Sequence, residues 1–467
     1  MKFKRIISFI IVLLMFYSPI CSFAIDEAEK TEEVETIDVS DSIQLEEPKE
    51  ENTLVTSINF DDIINKADEH SYDLKIADFN ILISKQDIRG ARSDYFPKLN
   101  VGAGTEYTKN YRDVRETSVM SIGEAFINPY TRYQNMLGIT LNYNLFDFGV
   151  RRGRLDIAKE DVKLKELEEQ EKLQELNLSV LDTYSKILVA KKQIELNKQI
   201  LELEEKNLEM RKRLFNAKEI SKTEYNDSEV KVARTKSKIS ELYSILSESI
   251  NMLTFYTGEE YDIETLTVSD IPKPDFDIMQ FKDYTKSITW QIHEKNLKKK
   301  ELEVKIAKRN YLPKVNAYGR YYMYGSDHSS YPDSFKDVDP SNFTVGGSIN
   351  MPVFDGFQNS AVVRKAELEY KQLQVERDKA IAQLMQRLAT MRSNLMYLDD
   401  QIDATNKVID ELKDKNKSIA KMASKRVISP IEENESKIEL LEQTIEQQKN
   451  LITSIAITKG IQILTDY

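Results

Sequence analysis

The sequence predicts a mainly α-helical chain with a membrane β part, and three observations carry that reading. The chain repeats itself at a long period, each copy holds two alternating segments of strand type, and each copy continues into a long run of heptads with few helix breakers. Composition agrees. Charged residues make up 31% of the 467 positions, the net charge is -12, and there are 14 Gly and 11 Pro, a profile of long solvated helices. No basic face is evident, so nucleic acid is not an expected partner, because phosphate binding draws on clustered Lys and Arg.

Residues 1–24 read as a signal peptide. Lys2, Lys4 and Arg5 precede the apolar run Ile6 to Phe16, and Ser22-Phe23-Ala24 supplies small residues for cleavage. A lipoprotein signal would want a small residue before Cys21, where the chain has Ile20; cleavage after Ala24 would leave no thiol and so no disulfide. No later stretch approaches the roughly 20 apolar residues of a helical span, so membrane insertion would have to be by strands. Residues 25–55, rich in Glu and Asp without apolar period, read as an acidic disordered tether.

The first repeat is assigned to 56–256, a linker to 257–277, and the second repeat to 278–467. Each repeat opens with a helix, about Phe60 to Asp94 and Phe281 to Asn310. The segment from Ala91 to Asn100 then recurs from Ala307 to Asn316, with Pro97 and Pro313 216 positions apart. Beyond each proline the sequence alternates. Leu99, Val101, Ala103 and Tyr107 lie on one face against Asn100, Gly102, Gly104 and Glu106, and Leu137, Ile139, Leu141, Tyr143 and Leu145 face away from Gly138, Thr140, Asn142 and Asn144. The second copy repeats this with Val315, Ala317, Tyr321 and Met323, and with Phe343, Val345, Ile349, Met351 and Val353. Two strands of about ten residues, apolar on one side, suit an outer-membrane hairpin, although one face of a soluble sandwich would alternate in the same way. Tyr107, Tyr111, Tyr130, Tyr133, Tyr324 and Tyr331, near strand ends, suit an interfacial girdle.

Leu145-Phe146-Asp147 recurs as Val353-Phe354-Asp355, 208 positions on, so a loop eight residues shorter absorbs the difference from 216. The long helices follow, about Arg151 to Phe215 and Gln358 to Ala423. Ile381, Leu388, Leu395, Ile402 and Ile409 recur every seven residues; 208 positions earlier, Leu173, Val180, Ile187, Ile194 and Leu201 hold the same register. A seam sustained over that many heptads predicts a coiled coil. Polar turns at 216–222 and 424–430 reverse the chain into return helices, about Thr223 to Tyr256 and Ile431 to Ile463.

Four strands cannot close a barrel that fills a membrane, and an open edge in lipid leaves backbone groups unpaired at several kcal/mol each. The chain must therefore oligomerise, and strands continuous with long helices suggest a conduit. The duplicated Ala-x5-Pro approach to each hairpin, the Leu-Phe-Asp exit and the long antiparallel helices resemble the TolC-like outer-membrane efflux factors, over about Asn59 to Thr465. That resemblance implies a homotrimer whose twelve-stranded β-barrel, four strands per chain, lies in outer-membrane lipid and continues as a periplasmic α-helical coiled-coil barrel. It also implies docking to a periplasmic adaptor and an inner-membrane transporter, with the chain serving as the exit duct of an efflux pump or type I secretion system.

The resemblance further points to two sets of residues. Family members usually carry a Gly in each helix-turn tip and a small polar residue three positions on; here Lys218 and Arg426 stand at the glycines and Ser221 and Ser429 match, so Ile220, Ser221, Ile428 and Ser429 are the expected docking tips. Glu432 and Glu435 fall where relatives place an acidic ring at the constricted entrance, with Glu224 and Asp227 as their counterparts 208 positions earlier. The alternative for both carboxylate pairs is a favourable charge at a helix N-terminus.

Enzyme chemistry finds no footing. His70, His293 and His328 are far apart, no Gly-rich phosphate loop or Gly-x-Ser-x-Gly elbow is present, and no cofactor or metal is expected. The competing reading is a membrane-anchored trimeric coiled-coil stalk of structural or adhesive role, which would place its strands at one end of the chain. A periplasmic adaptor would nest a single helical hairpin between lipoyl-like halves. Neither predicts two internal strand pairs.

Overall fold

The computed structural model describes residues 56–109, 120–122, 125–127, 133–274 and 284–465. The expected signal peptide and acidic tether, and Tyr111 and Tyr130 of the expected girdle, lie outside the described residues. A short strand β1 (Ser57–Ile58) leads into α1 (Phe60–His70) and α2 (Tyr72–Ser93). One continuous helix over 60–94 is thus corrected to two. Ser71 divides them: its N–H closes α1 on Ala67 O at 2.9 Å, and its Oγ accepts from Leu74 N at 3.3 Å as the N-cap of α2.

Strand β2 (Lys98–Tyr107), two short paired strands β3 (Met120–Ile122) and β4 (Ala125–Ile127), and β5 (Tyr133–Phe146) complete the first hairpin region. Next come the long helix α3 (Val150–Asn216), its return α4 (Lys222–Thr257), and β6 (Thr267–Val268), which pairs in parallel with β1. The second copy runs as α5 (Ile288–Arg309), β7 (Lys314–Asp327), the one-turn-and-a-half helix α6 (Tyr331–Lys336), β8 (Asp339–Asn350), α7 (Gln358–Ser424) and α8 (Pro430–Thr465). α5 starts later than its expected Phe281, behind a 3-10 turn at Tyr284–Lys286. Ser287 caps it, accepting from Trp290 N at 3.2 Å, and stands 216 positions after Ser71.

The compact units are not the two repeats. One gathers Arg89–Leu155 with Lys308–Asn359, hence both hairpins; the other gathers the helices from both copies.

In the hairpin unit, β2, β5, β7 and β8 form one antiparallel four-stranded sheet in that order. Register carries the sequence alternation across it. Val101, Ile139, Tyr321 and Phe343 are successive partners, as are Leu99, Leu141, Gly319 and Val345, while Asn100, Thr140, Arg320 and Thr344 align on the other face. The apolar face is bare: Val101, Val345 and Ile349 are 69%, 71% and 73% exposed. β2 and β8 are the edges, each with one neighbour. Among the described residues no helix is long and apolar enough to cross a membrane.

The Leu-Phe-Asp motif acquires a structural meaning at the strand-to-helix corner. Asp147 caps α3, its carboxylate accepting from Gly149 N and Arg151 N, both at 3.1 Å, and from the Arg151 side chain at 3.1 Å. Asp355 does the same for α7, accepting from Asn359 N at 2.9 Å. Two consecutive left-handed residues follow in each copy, Phe148 and Gly149 (φ 53 and 82) and then Gly356 and Phe357 (φ 65 and 70), so Phe and Gly exchange places while the backbone bend is kept. Arg309, at the end of α5, donates to Gly149 O at 2.8 Å and so ties the second copy to the first corner.

In the helical unit the main core surrounds Tyr184, with Val180, Ile187, Leu188, Leu246, Ile250 and Leu253 from α3 and α4. Phe60, Ile63 and Ala67 of α1, and Tyr261, Leu266 and Ile271 from the segment read as a linker, pack into it. Tyr184, fully buried, donates to Ser269 O at 2.7 Å and meets Phe60 edge-on at 5.5 Å. Around α7 and α8 a smaller cluster forms from Leu388, Ile461 and Leu464. The heptad positions Leu388, Leu395 and Ile409 are buried, whereas Ile381 and Ile402 are half-buried. α5 is zipped by ion pairs to α3 (Lys295 to Glu160 at 3.1 Å, Lys299 to Asp161) and to α7 (Lys300 to Glu369 at 2.5 Å, Arg377 to Glu294 at 2.9 Å).

Candidate functional site: the helix-turn tips

Both tips are built alike although neither has a glycine. α3 ends with Lys218 at φ 63 and α7 with Arg426 at φ 59, the left-handed position that usually takes Gly. Around Lys218 the hydrogen bonds are Lys218 N to Phe215 O at 2.9 Å and Glu219 N to Leu214 O at 2.9 Å. Around Arg426 they are Arg426 N to Ala423 O at 3.0 Å and Val427 N to Met422 O at 3.0 Å. This is the Schellman pattern, which satisfies the last carbonyls of each long helix. The left-handed conformation is therefore held by two backbone bonds per tip, at a cost of about 1 kcal/mol for a side chain other than Gly.

Ser221 and Ser429 both cap the return helices. Ser221 Oγ accepts from Glu224 N and Ser429 Oγ from Glu432 N, each at 3.2 Å. Ser-x-x-Glu at both sites is the sequence form of a capping box, which accounts for Glu224 and Glu432 as local structure. Ser221, Ser429, Glu224, Asp227 and Glu432 are exposed, and Ile220 and Ile428 half-buried. Phe215 stacks on Tyr225 at 5.4 Å beneath the first tip; Ala423 and Glu433 stand at those places in the second.

The expected carboxylates do not stand equivalently. Glu435 is half-buried and accepts from Arg211 of α3 at 2.8 Å, with Lys231 of α4 at 3.8 Å. Beside it, Asn434 donates at 2.8 Å to Oδ1 of Asn207, one turn before Arg211. Glu435 and its neighbour thus link the return helix of the second copy to the long helix of the first. Their counterparts diverge: Ile419 stands 208 positions after Arg211, and Lys415, at the place of Asn207, pairs with Glu439 at 2.6 Å. Arg211 leaves almost no trace in the sequence as a partner of Glu435, because the two lie 224 residues apart. Its one signal was a cation near a helix end whose counterpart in the other copy is apolar. Among the described residues no group of His, Cys, Asp and Glu is arranged to hold a metal ion.

The family model described as outer membrane efflux protein matches residues 63–259 and 291–428. Among solved structures the chain is similar to CusC (TM-score 0.68, 15% identity, 86% of this chain and 91% of that one). It is also similar to the outer membrane protein VceC of Vibrio cholerae (TM-score 0.66, 14% identity, 86% and 95%). The CmeC outer membrane channel of Campylobacter jejuni gives a TM-score of 0.68 at 14% identity, over 86% and 85%. No curated protein sequence matches the chain. The family's members are non-enzymatic conduits, in agreement with a sequence that offers no catalytic constellation. Its four-stranded sheet, paired long helices and family match over both copies agree: the chain belongs to the outer membrane efflux protein family, whose members are outer-membrane efflux channels.

Proposed function

We propose that three copies close edge to edge, β8 of one against β2 of the next, into a twelve-stranded outer-membrane barrel continued by a periplasmic helical barrel. The assembly is a passive exit duct for small molecules or proteins, serving an efflux pump or a type I secretion system. One observation carries this reading: a sheet with a bare apolar face and two open edges. In lipid the face is satisfied, but each edge leaves a row of backbone groups that only another strand can satisfy. A solitary chain would retain both defects.

In this reading the tips, with Ile220, Ser221, Ile428 and Ser429, meet a periplasmic adaptor that connects to an inner-membrane transporter. Glu432 and Glu435, with Glu224 and Asp227, line the entrance. The pairing of Glu435 with Arg211 and Lys231 leaves exposed Glu432 as the carboxylate of that pair more open to an added cation.

Mass measurement of the detergent-extracted protein, followed by planar-bilayer recording, tests the duct. A conducting trimer is expected; a water-soluble monomer without conductance would refute it. Multivalent cations added from the entrance side should reduce the current, and Glu432→Gln should weaken that block by about tenfold, as expected for removing one ring of charge from a narrow pore. An unchanged block would remove Glu432 from the gate.

A further inference from the structure

We propose that an exposed apolar stripe on α2 is a chain-to-chain seam of the helical barrel, and that its occupant is an exposed apolar flank of α7 in a second copy of this chain. The seam rests on the closed trimer proposed above and goes further, naming the helices and side chains that meet. Tyr72, Ile76, Phe79 and Ile83 recur at spacings of four, three and four, so they share one helix face, and all four are exposed. On α7, Leu368 and Val375 stand one heptad apart and are exposed as well.

The internal repeat identifies the occupant. α5 is the counterpart of α2 at a shift of 216, and α7 that of α3 at 208. α5 has a long helix on each flank: Glu294 pairs with Arg377 of α7 at 2.9 Å, while Lys295 and Lys299 pair with Glu160 and Asp161 of α3. The first of these contacts has an equivalent within the chain. Asp78 of α2 lies within hydrogen-bonding reach of Glu169 of α3, and these are the positions equivalent to Glu294 and Arg377. The second contact has no such equivalent. Its positions would be Phe79 and Ile83 on α2, for Lys295 and Lys299, and Leu368 and Glu369 on α7, for Glu160 and Asp161. Along the series α2, α3, α5, α7 those two helices are the ends, so a second copy that continues the series sets α7 against the next chain's α2, as α3 stands against α5.

The two sides of this contact differ from the internal junction in a matched way. Phe79 and Ile83 stand where α5 has two lysines, and Leu368 stands where α3 has Glu160. Glu369 keeps its acid, but Lys300 of its own chain already pairs with it at 2.5 Å, which leaves Leu368 as the exposed member of the two. The junction inside the chain is therefore ionic, and the junction between chains is apolar. The two kinds do not substitute for each other. Docking α2 on the α3 flank of another chain would set Phe79 and Ile83 against Glu160 and Asp161 and bury carboxylates without their lysines, so the pattern also selects the correct neighbour.

Mass measurement of the full-length, detergent-extracted protein tests the seam. Phe79→Lys alone and Leu368→Glu alone should each lower the trimer-to-monomer ratio by about tenfold or more. The double variant should recover most of that loss, because it rebuilds between chains the pair that Lys295 and Glu160 make within one. Single variants that leave the ratio unchanged, or a double variant no better than the singles, overturn the inference and leave the duct standing. A monomeric parent refutes the trimer and this inference with it. Should a single variant fail to fold, Phe79→Cys and Leu368→Cys placed together in one chain decide the matter. Oxidation should then link chains into covalent dimers and trimers that the parent, with Cys21 alone, does not form; monomers only would overturn the seam.

Discussion

The two helical hairpins share a register and differ in what they bury. In α3 and α4 the seam lies under a covering of α1, β1 and the segment around β6, with Tyr184 fully buried at its centre. In α7 and α8 the same heptad register yields a small cluster around Leu388 and Ile461, and much of the seam is only half-buried. The position equivalent to Tyr184, 208 positions on, is Arg392, whose Nε and one terminal nitrogen are buried without a hydrogen-bond partner. A duplicated pattern thus fixes which side chains point inward. Whether they are then covered depends on segments outside the helical hairpin itself, here α1, β1 and the stretch around β6.

Four measurements put that contrast to the test. The largest effect is expected at Tyr184, where Tyr184→Ala removes a large aromatic and two carbonyl contacts and should cost about 3–5 kcal/mol. Arg392→Ala should cost less than about 1 kcal/mol, since it deletes a cation that satisfies no partner. Chemical denaturation of the detergent-solubilised protein measures both, and equal losses would erase the contrast between copies. The corners come next. Asp147→Ala loses two backbone caps and the Arg151 pair and should cost about 2 kcal/mol, against about 1 kcal/mol for Asp355→Ala.

At the tips the copies are expected to agree. Lys218→Gly and Arg426→Gly each relieve a left-handed side chain, and each should stabilise by about 0.5–1 kcal/mol. A gain at one tip alone would show that assembly strains them differently. A pH-dependent effect of similar size concerns Asp68 of α1, whose carboxyl burial pushes up to about 6 and whose Oδ1 lacks a partner. The folded form then binds more protons than the unfolded one between the ordinary carboxylate pKa and about 6, so stability falls as pH rises through that window. Asp68→Asn should abolish this slope and raise stability at pH 7 by about 1 kcal/mol, discounted for partial exposure. An unchanged thermal midpoint from pH 4 to 7 in the parent would show that Asp68 is solvated.

The site was legible in part. Ser221 and Ser429 could be placed at the turns from sequence, but their capping bonds to Glu224 and Glu432 became visible only as geometry. Lys218 and Arg426 looked like departures from a glycine rule, yet the Schellman bonds keep both left-handed. Glu435 looked like one of a carboxylate pair on a shared face; its partner Arg211 lies on another helix, and no local pattern joins positions 224 residues apart.

By itself the sequence determined the local and periodic features: which strand face is apolar, where Pro97 and Pro313 end a helix, and the heptad register shared at a shift of 208. Side-chain direction follows backbone period, so these can be read within a few residues. Tertiary structure alone decided the division at Ser71, the wrapping of β6 and its flanks around Tyr184, and the tie between Arg211 and Glu435. Each depends on burial or charge supplied from far along the chain. Such contacts leave no period in the sequence, because their energy exists only once the distant segment has arrived.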